Sequence, residues 1–146
     1  MRKFSYISVL MLVFMVVASQ TGWADEATLD TGDNAWILTS SALVLLMTPG
    51  LAFFYGGMCS VKNLNNMIMM VFLCMAIISV QWVFWGYALS FGADHGSFIG
   101  GLGMAGLAGI TPDSLSGTLS EYTFVAFQCT FAIITVGLIL VQLRGA

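Results

Sequence analysis

Three long apolar runs without a charged residue constrain the fold of this chain more than any other feature. They extend over residues 36–57, 67–91 and 122–143. Each has the roughly 20 residues that an α-helix needs to cross the hydrocarbon core of a bilayer. The composition agrees, because 59% of the 146 residues are hydrophobic and only 8% are charged. We therefore predict an all-α integral membrane protein with three transmembrane helices.

The first 24 residues have the three parts of a secretory signal peptide. Arg2 and Lys3 form a basic start and an apolar stretch follows. Gly22 and Ala24 are small residues at the third-last and last positions before a cut. We predict cleavage after Ala24, so that residues 25–146 form the mature chain. The alternative is a retained short anchor helix, because the apolar stretch is long for a signal peptide.

The basic residues predict the orientation in the membrane. Lys62 follows the first apolar run and Arg144 follows the third. Both lie on the cytoplasmic side if the mature N-terminus is outside, as the positive-inside rule requires. All seven acidic residues then lie outside. We predict an inner-membrane protein with its N-terminus outside and its C-terminus in the cytoplasm, since no sorting motif accompanies the signal peptide.

A glycine-rich segment, residues 92–121, separates the second apolar run from the third. Its composition predicts a loop with at most one short helical turn. His95 is the only histidine of the chain and lies in this segment. We interpret it as a solvated loop residue rather than a ligand.

Neither a metal centre nor an enzyme active site is predicted. The cysteines fall in or beside apolar runs without metal-ligand spacing, and we interpret them as small packing residues: Cys59, Cys74 and Cys129. No membrane segment carries a charge, and the acidic residues are scattered along the chain. We expect no cofactor and no nucleic-acid partner.

The first apolar run contains Thr48-Pro49-Gly50, a combination that would break a helix in a soluble protein. Membrane helices tolerate it where neighbouring helices compensate for the lost hydrogen bond. Ala52 and Gly56 follow with a small-xxx-small spacing that lets another backbone approach closely. We interpret Pro49, Gly50, Ala52 and Gly56 as helix-packing positions, although such a face is also compatible with lining a pore.

Aromatic residues with polar groups lie near the outer ends of the first two runs. They are Trp36, Trp82, Trp85 and Tyr87. Such residues often anchor a membrane helix at the level of the lipid headgroups. We interpret them as anchors or packing residues rather than ligand contacts.

Three blocks of the sequence resemble the Amt/Mep/Rh ammonium transporter family. SALVLLMTPGLAFFYGGMCSVKN, from Ser41, is similar to the first helix and following loop of that family. QWVFWGYALSFG, from Gln81, is similar to the end of the second helix, and FVAFQCTFAIITVGLI, from Phe124, to the third. The resemblance implies a bundle of roughly eleven helices with two inverted repeats, assembled as a homotrimer, of which this chain holds the first three helices.

Phe127 and Phe131 are four residues apart and therefore share one face of the third helix, with Gln128 beside them. From spacing alone, the two phenyl rings are interpreted as lipid-facing or packing residues. The resemblance implies instead that Phe127 helps to form an outer ammonium recruitment site and that Phe131 is one of two rings gating the entrance. Gln128 either orients a helix or lines the path, and both interpretations stay open.

The resemblance implies transport of ammonium or ammonia in nitrogen uptake. The family's paired pore histidines and the region that contacts a regulatory signalling protein have no matching positions here, and His95 cannot be one of those histidines. The ending VQLRGA departs from the family pattern as a truncation or frame change would. We therefore expect the isolated chain to be inactive. The alternative is a small three-helix membrane subunit that interacts with a full-length relative or acts as a sensor.

Overall fold

The computed structural model describes residues 28–58, 60, 62–93 and 99–145. The elements of this part are α1 (Thr31–Met58), α2 (Leu64–Gln81), a π-helical turn (Trp82–Gly86), α3 (Tyr87–Phe91), a 3₁₀ helix (Leu102–Leu107), β1 (Leu115–Ser116), β2 (Leu119–Ser120) and α4 (Glu121–Gly145). The predicted signal peptide with its cleavage site, Cys59 and His95 lie outside the described residues.

Within the part of the chain that the structure describes, three helices are long and apolar enough to cross a membrane, which confirms the predicted all-α membrane fold. We call them the first span (Thr31–Met58), the second span (Leu64–Phe91) and the third span (Glu121–Leu143). The second span consists of α2, the π-helical turn and α3. Each of the helices α1, α2 and α4 packs against the other two, so the chain forms a three-helix bundle.

The first span begins at Thr31 rather than at the predicted Trp36, because Asp30 caps it. The Asp30 Oδ1 atom accepts hydrogen bonds from the backbone N–H groups of Gly32, at 2.7 Å, and Asp33, at 3.1 Å. These bonds satisfy N–H groups that have no partner inside a helix. The extra turn is polar, so a search for apolar residues does not detect it.

A stripe of small side chains forms the buried face of the first span: Ser41, Thr48, Ala52 and Gly56. Spacings of seven and four residues place them on one side of the helix. Ala52 lies in a cluster with Met67 and Val71 of the second span and Val141 of the third. Small residues let the helices approach closely, and close packing is what holds helices together in lipid, where apolar surface alone gives no preference.

Pro49 does not interrupt the first span. Because proline has no N–H, the carbonyl of Leu45 loses its usual helical donor. Thr48 is fully buried beside it, and its hydroxyl finds no hydrogen-bond partner among the described residues. The Thr48 methyl group instead faces Gly137 of the third span, where an added Cβ would lie 3.9 Å away. Gly50 is exposed and a Cβ there would meet no atom within 4 Å, so its packing role stays a prediction.

The second span is not a uniform α-helix, because Trp82–Gly86 forms a π-helical turn. The backbone N–H of Tyr87 donates to the carbonyl of Trp82, five residues earlier. A π-helical turn therefore inserts an extra residue and rotates the side chains that follow it. The apolar run predicted one helix without this turn, since both helix types accept the same apolar residues.

The glycine-rich segment is more structured than the predicted loop. It contains the expected helical turn, Leu102–Leu107, and also an antiparallel hairpin that the sequence did not predict. Gly117 occupies the two-residue hairpin turn with a φ of 66°, a conformation that such turns require and that glycine adopts readily. Strands of two residues are too short to show an alternating pattern.

The hairpin connects the first span to the start of the third. The backbone N–H of Asp30 donates to the Thr118 carbonyl at 3.0 Å, and the Thr118 hydroxyl donates to Asp33 Oδ2 at 2.8 Å. The backbone N–H of Glu121 donates to the Ser114 carbonyl at 2.9 Å. We call the end of the bundle that contains this hairpin, residues 115–120, the hairpin end.

Replacing Gly56 with leucine is expected to lower the free energy of unfolding by about 1–3 kcal/mol, as overpacking typically does. A Cβ at Gly56 would lie 2.8 Å from Leu64 Cδ1 and 3.6 Å from Ile68 Cγ1. Gly57→Leu is the matched control, because a Cβ at Gly57 meets no atom within 4 Å. Unfolding of both variants in detergent, followed by circular dichroism, tests this. Equal destabilisation by the two leucines would contradict close packing at Gly56.

Candidate functional site

An open cavity of about 400 Å³ lies between the second and third spans. Its lining is mostly aromatic and apolar with a few hydroxyl and amide groups: Trp82, Ser90, Phe91, Gln128, Phe131, Ala132, Thr135 and Val136. The second span contributes the first three of these residues and the third span the other five. Sites for small molecules commonly combine apolar walls with a small number of polar groups in this way.

The two phenyl groups singled out from the sequence are in contact. The ring centroids of Phe127 and Phe131 are 5.0 Å apart and the ring planes are inclined by 80°, an edge-to-face arrangement. Phe131 is 43% exposed and lines the cavity. Phe127 is half-buried and touches Phe131, although it is not among the residues that line the cavity. The pair therefore presents one ring to the cavity and supports it with the other.

Gln128 lines the same cavity and is half-buried. Thr135, one turn beyond Phe131, donates its hydroxyl to the Phe131 carbonyl at 2.7 Å. The Thr135 oxygen keeps accepting capacity, because a hydroxyl has two lone pairs. The polar groups of the third-span wall are thus an amide and a hydroxyl, both uncharged.

The opposite wall is a chain of aromatic rings. Trp82 makes edge-to-face contacts with Tyr87, at 6.2 Å between ring centroids, and with Phe91, at 6.4 Å. Phe91 in turn meets Phe124 of the third span at 5.0 Å and 77°. Edge-to-face aromatic pairs are favourable, because the positive ring edge meets the negative ring face. These contacts hold the two walls of the cavity together at the hairpin end.

Two side-chain hydrogen bonds also join the second span to the third. The indole N–H of Trp82 donates to the backbone carbonyl of Val125 at 3.1 Å. The Tyr87 hydroxyl donates to Glu121 Oε1 at 3.0 Å, and Tyr87 itself is only 3% exposed. Hydrogen bonds to a charged acceptor are stronger than neutral ones. These partners are 43 and 34 residues apart, so the sequence offered no direct indication of them.

The aromatic cavity suits a small cation or a small neutral molecule. The faces of its rings carry partial negative charge, and a cation over such a face gains about 0.5–2 kcal/mol. Across the residues that the structure describes, no three His, Cys, Asp or Glu side chains are grouped in a way that would hold a metal ion. Cys74 and Cys129 are free thiols.

Comparison with known proteins identifies the family. The model of the Ammonium Transporter Family matches residues 35–144, which include all three apolar runs and both phenyl groups. The chain belongs to the ammonium transporter family. The resemblance stated from the three sequence blocks is thereby confirmed.

Relatives within the family are similar at moderate identity. An ammonium transporter of Mycobacterium tuberculosis is 50% identical over 127 residues, covering 75% of this chain and 27% of the relative. An ammonium transporter of Aquifex aeolicus is 41% identical over 145 residues, covering 95% of this chain and 32% of the relative. The chain therefore spans about a quarter to a third of the length of these ammonium transporters.

The fold is also similar to that of a solved structure. The crystal structure of Saccharomyces cerevisiae Mep2 matches with a TM-score of 0.68 and 30% identity, over 80% of this chain and 28% of Mep2. Together with the three spans, these relatives make the chain a multi-pass membrane protein. The relatives are named as transporters rather than enzymes.

The structure separates the predicted packing residues of the first span into two groups. Ala52 and Gly56 lie on the buried stripe of the first span. Pro49 is half-buried and Gly50 is exposed. The role of the four as packing positions for helices of the whole transporter stays a prediction, as do the pore roles of the third-span residues.

Sequence reasoning underestimated two aromatic residues. Trp82 and Tyr87 were interpreted as anchors or packing residues, and they do pack at the hairpin end. Each also carries one of the hydrogen bonds between spans, which that interpretation did not include. The indication present in the sequence was their polar groups within an apolar run, because an N–H or O–H at that depth needs a partner. Trp36, by contrast, is 71% exposed, as an anchor would be.

Proposed function

We propose that this chain forms the outer mouth of a path that carries ammonium or ammonia across the inner membrane. The observation that carries the proposal is the contact between Phe127 and Phe131 at an open aromatic cavity, in a chain of the ammonium transporter family. The similar proteins of Mycobacterium tuberculosis and Aquifex aeolicus are named ammonium transporters.

In this proposal the aromatic rings recruit the cation, and the edge-to-face pair of Phe127 and Phe131 excludes water. An ammonium ion that sheds part of its hydration shell is stabilised by the ring faces. Hydrogen-bond acceptors at the amide of Gln128 and the hydroxyls of Ser90 and Thr135 replace lost water contacts. The rings of Phe127 and Phe131 then keep water out of the path while a small molecule passes.

The orientation proposed from the sequence places the cavity on the outer side. Lys62 lies in the turn between the first and second spans, and Arg144 lies in the last turn of α4. Asp30, Asp33 and Glu121 lie at the opposite, hairpin end. The distribution supports a cytoplasmic position for the basic end, and hence an outer position for the hairpin end.

The conduction path requires more of a transporter than this chain contains. The matching relatives are about three times as long, and helices of a transporter pack together to line its path. We expect that assembly to be a homotrimer, and we expect any regulatory signalling protein to bind outside the segment described here. The 146-residue chain alone is therefore expected not to transport.

A chimera tests the proposed function. Residues 35–144 of this chain replace the matching segment of the Mycobacterium tuberculosis transporter, and the product is expressed in cells that lack their own ammonium transporters. We expect the chimera to restore growth on low ammonium and uptake of labelled methylammonium. The 146-residue chain, expressed at the same level in the membrane, is expected to restore neither.

The parent Mycobacterium tuberculosis transporter is the control for expression and assay. A chimera that reaches the membrane at the parent level but does not transport would contradict the proposed role of this segment. Growth restored by the 146-residue chain alone would contradict its expected inactivity.

A further inference from the structure

Trp82 makes an unusual connection for a tryptophan in a membrane helix. Interfacial tryptophans keep the ring in lipid and the N–H at the headgroups. The Trp82 ring is instead half-buried between spans, and its N–H donates to the Val125 backbone carbonyl at 3.1 Å. That carbonyl belongs to the turn of the third span directly before Phe127 and Gln128. One bond therefore ties the π-helical turn of the second span to the segment that carries the cavity residues.

The local sequence explains how the indole reaches across. Trp82 begins the π-helical turn, whose extra residue rotates the side chains that follow it relative to Trp82. Gly86 ends the turn directly beneath the ring. A Cβ built on Gly86 would lie 3.0 Å from Trp82 Cε3 and 3.6 Å from Trp82 Cδ2. The absence of a side chain at Gly86 therefore leaves room for the indole in this position, since the ring would have to shift to accept a Cβ there.

The same indole is a wall of the cavity. Trp82 lines it from the second span, while Gln128 and Phe131 line it from the third. A change in the position of the indole therefore changes the shape of the cavity wall. Through the bond to Val125, it also shifts Gln128 and Phe131 along the axis of the bundle. In the low dielectric of the membrane interior, an indole N–H without a partner is unfavourable, so the bond to Val125 stabilises this position of the indole.

We propose that Trp82 is a positioning residue: its hydrogen bond to Val125 sets the position of Phe127, Gln128 and Phe131 relative to the second span. This inference rests on the proposed function, because it assigns Trp82 to the geometry of the proposed ammonium mouth. Trp82 acts through the third span, and its N–H is occupied by the carbonyl rather than available to a permeating molecule.

The first test removes the hydrogen bond and keeps the ring. Trp82 is replaced with benzothienylalanine, which has sulfur in place of the indole N–H and nearly the same shape. A 4-fluorophenylalanine at position 131 reports the surroundings of that ring by ¹⁹F NMR, in the full chain reconstituted in lipid nanodiscs. We expect a shifted resonance or two resonances, showing that the ring has left its single position.

The matched control is the same replacement at Trp85. Trp85 belongs to the same π-helical turn, but it is 46% exposed and its ring contacts Phe84 of its own helix. We expect the fluorine resonance to be unchanged in this control. An unchanged resonance after replacement of Trp82, or an equal change after both replacements, would overturn the positioning role.

Gly86→Ala is an independent second variant, because it keeps the indole N–H and displaces the ring. The alanine Cβ would press on Trp82 Cε3 and separate the donor from Val125. The same change of the fluorine resonance is expected. Retention of the original resonance would contradict the role assigned to Gly86 and Trp82 together, even if the benzothienyl variant failed to fold.

Transport by the chimera gives the functional readout. Removal of the Trp82 N–H is expected to raise KM for methylammonium by about 2- to 10-fold, the range for loss of one hydrogen bond, with little change in maximal rate. The maximal rate is normalised to the amount of protein in the membrane. A fall in this rate at constant KM would indicate a merely structural role and overturn the proposal.

The two proposals fail in distinguishable ways. If the unmodified chimera does not transport, the proposed function fails, while the fluorine spectra still decide whether Trp82 positions Phe131. If the chimera transports normally, and neither KM nor the fluorine resonance changes when Trp82 is replaced, only the positioning proposal fails.

Discussion

Gly92→Ala is expected to lower the free energy of unfolding by about 3 kcal/mol or more, which is at the upper end for single substitutions. A Cβ on Gly92 would collide with the Ala88 carbonyl oxygen and lie 2.6 Å from the Gly101 carbonyl oxygen. Both are main-chain atoms, the first in the second span and the second in the glycine-rich segment, so neither can rotate away as a side chain would. Relief of the collision has to break the bond from the Gly92 N–H to the Ala88 carbonyl, which is 2.8 Å long.

This effect is purely steric, which makes it easy to control. Gly92 has a φ of −68° and a ψ of 169°, a conformation that alanine also adopts. Gly103→Ala is the matched control, because Gly103 lies in the same connecting segment and an added Cβ meets no atom within 4 Å. Thermal unfolding in detergent, followed by circular dichroism, compares the two. Equal stability of the two variants would show that the connecting segment does not dock on the second span as described.

Gly100→Ala provides a second observation on the same contact. A Cβ on Gly100 would lie 2.6 Å from the Ala88 carbonyl oxygen and 3.0 Å from the Leu89 carbonyl oxygen. The Gly100 N–H donates to the Leu89 carbonyl at 2.8 Å, and the collision breaks this bond as well. We expect a loss of stability comparable to that of the Gly92 variant.

Phe127→Ala is expected to raise KM for methylammonium in the chimera by about 2- to 30-fold, the range for loss of one cation–π contact. In the proposed function Phe127 helps to recruit the cation, and its ring also supports Phe131 at a centroid distance of 5.0 Å. The initial rate of methylammonium uptake over a range of concentrations measures KM and the maximal rate separately.

Two control substitutions separate the aromatic contribution from packing. Phe127→Tyr keeps an aromatic face, and we expect its KM to stay within about twofold of the original, because the cation–π contact is retained. Phe53→Ala removes a phenyl group that is 62% exposed on the first span, and it is expected to leave KM unchanged. If Phe53→Ala and Phe127→Ala raise KM equally, loss of any phenyl group suffices and Phe127 has no special role at the mouth.

The membrane-spanning architecture was predictable because it depends on local properties of the chain. Each apolar run is long enough to cross a bilayer. In lipid the chain forms a helix there, because a helix satisfies its backbone hydrogen bonds internally. The ends of the helices were less predictable. Thr31 starts the first span because Asp30 caps it, and capping involves polar residues that a search for apolar runs passes over.

Part of the candidate site was likewise predictable. Phe127 and Phe131 touch because residues four apart lie on one face of a helix, a relation that the sequence contains. The remainder of the cavity was not, since Trp82, Ser90 and Phe91 come from another span. No spacing rule relates residues that are separated by a loop of variable shape.

The sequence by itself determined the three membrane helices of the described residues, the small-residue face on the first and the phenyl pair on one face of the third. Helix formation and side-chain periodicity depend on neighbours within one turn, and a chain in lipid has few alternatives. Only the tertiary structure decided that the indole of Trp82 bonds to the Val125 carbonyl and that Tyr87 bonds to Glu121. Those contacts depend on the rotation and height of one helix against another, which packing over the whole bundle sets and no local pattern records.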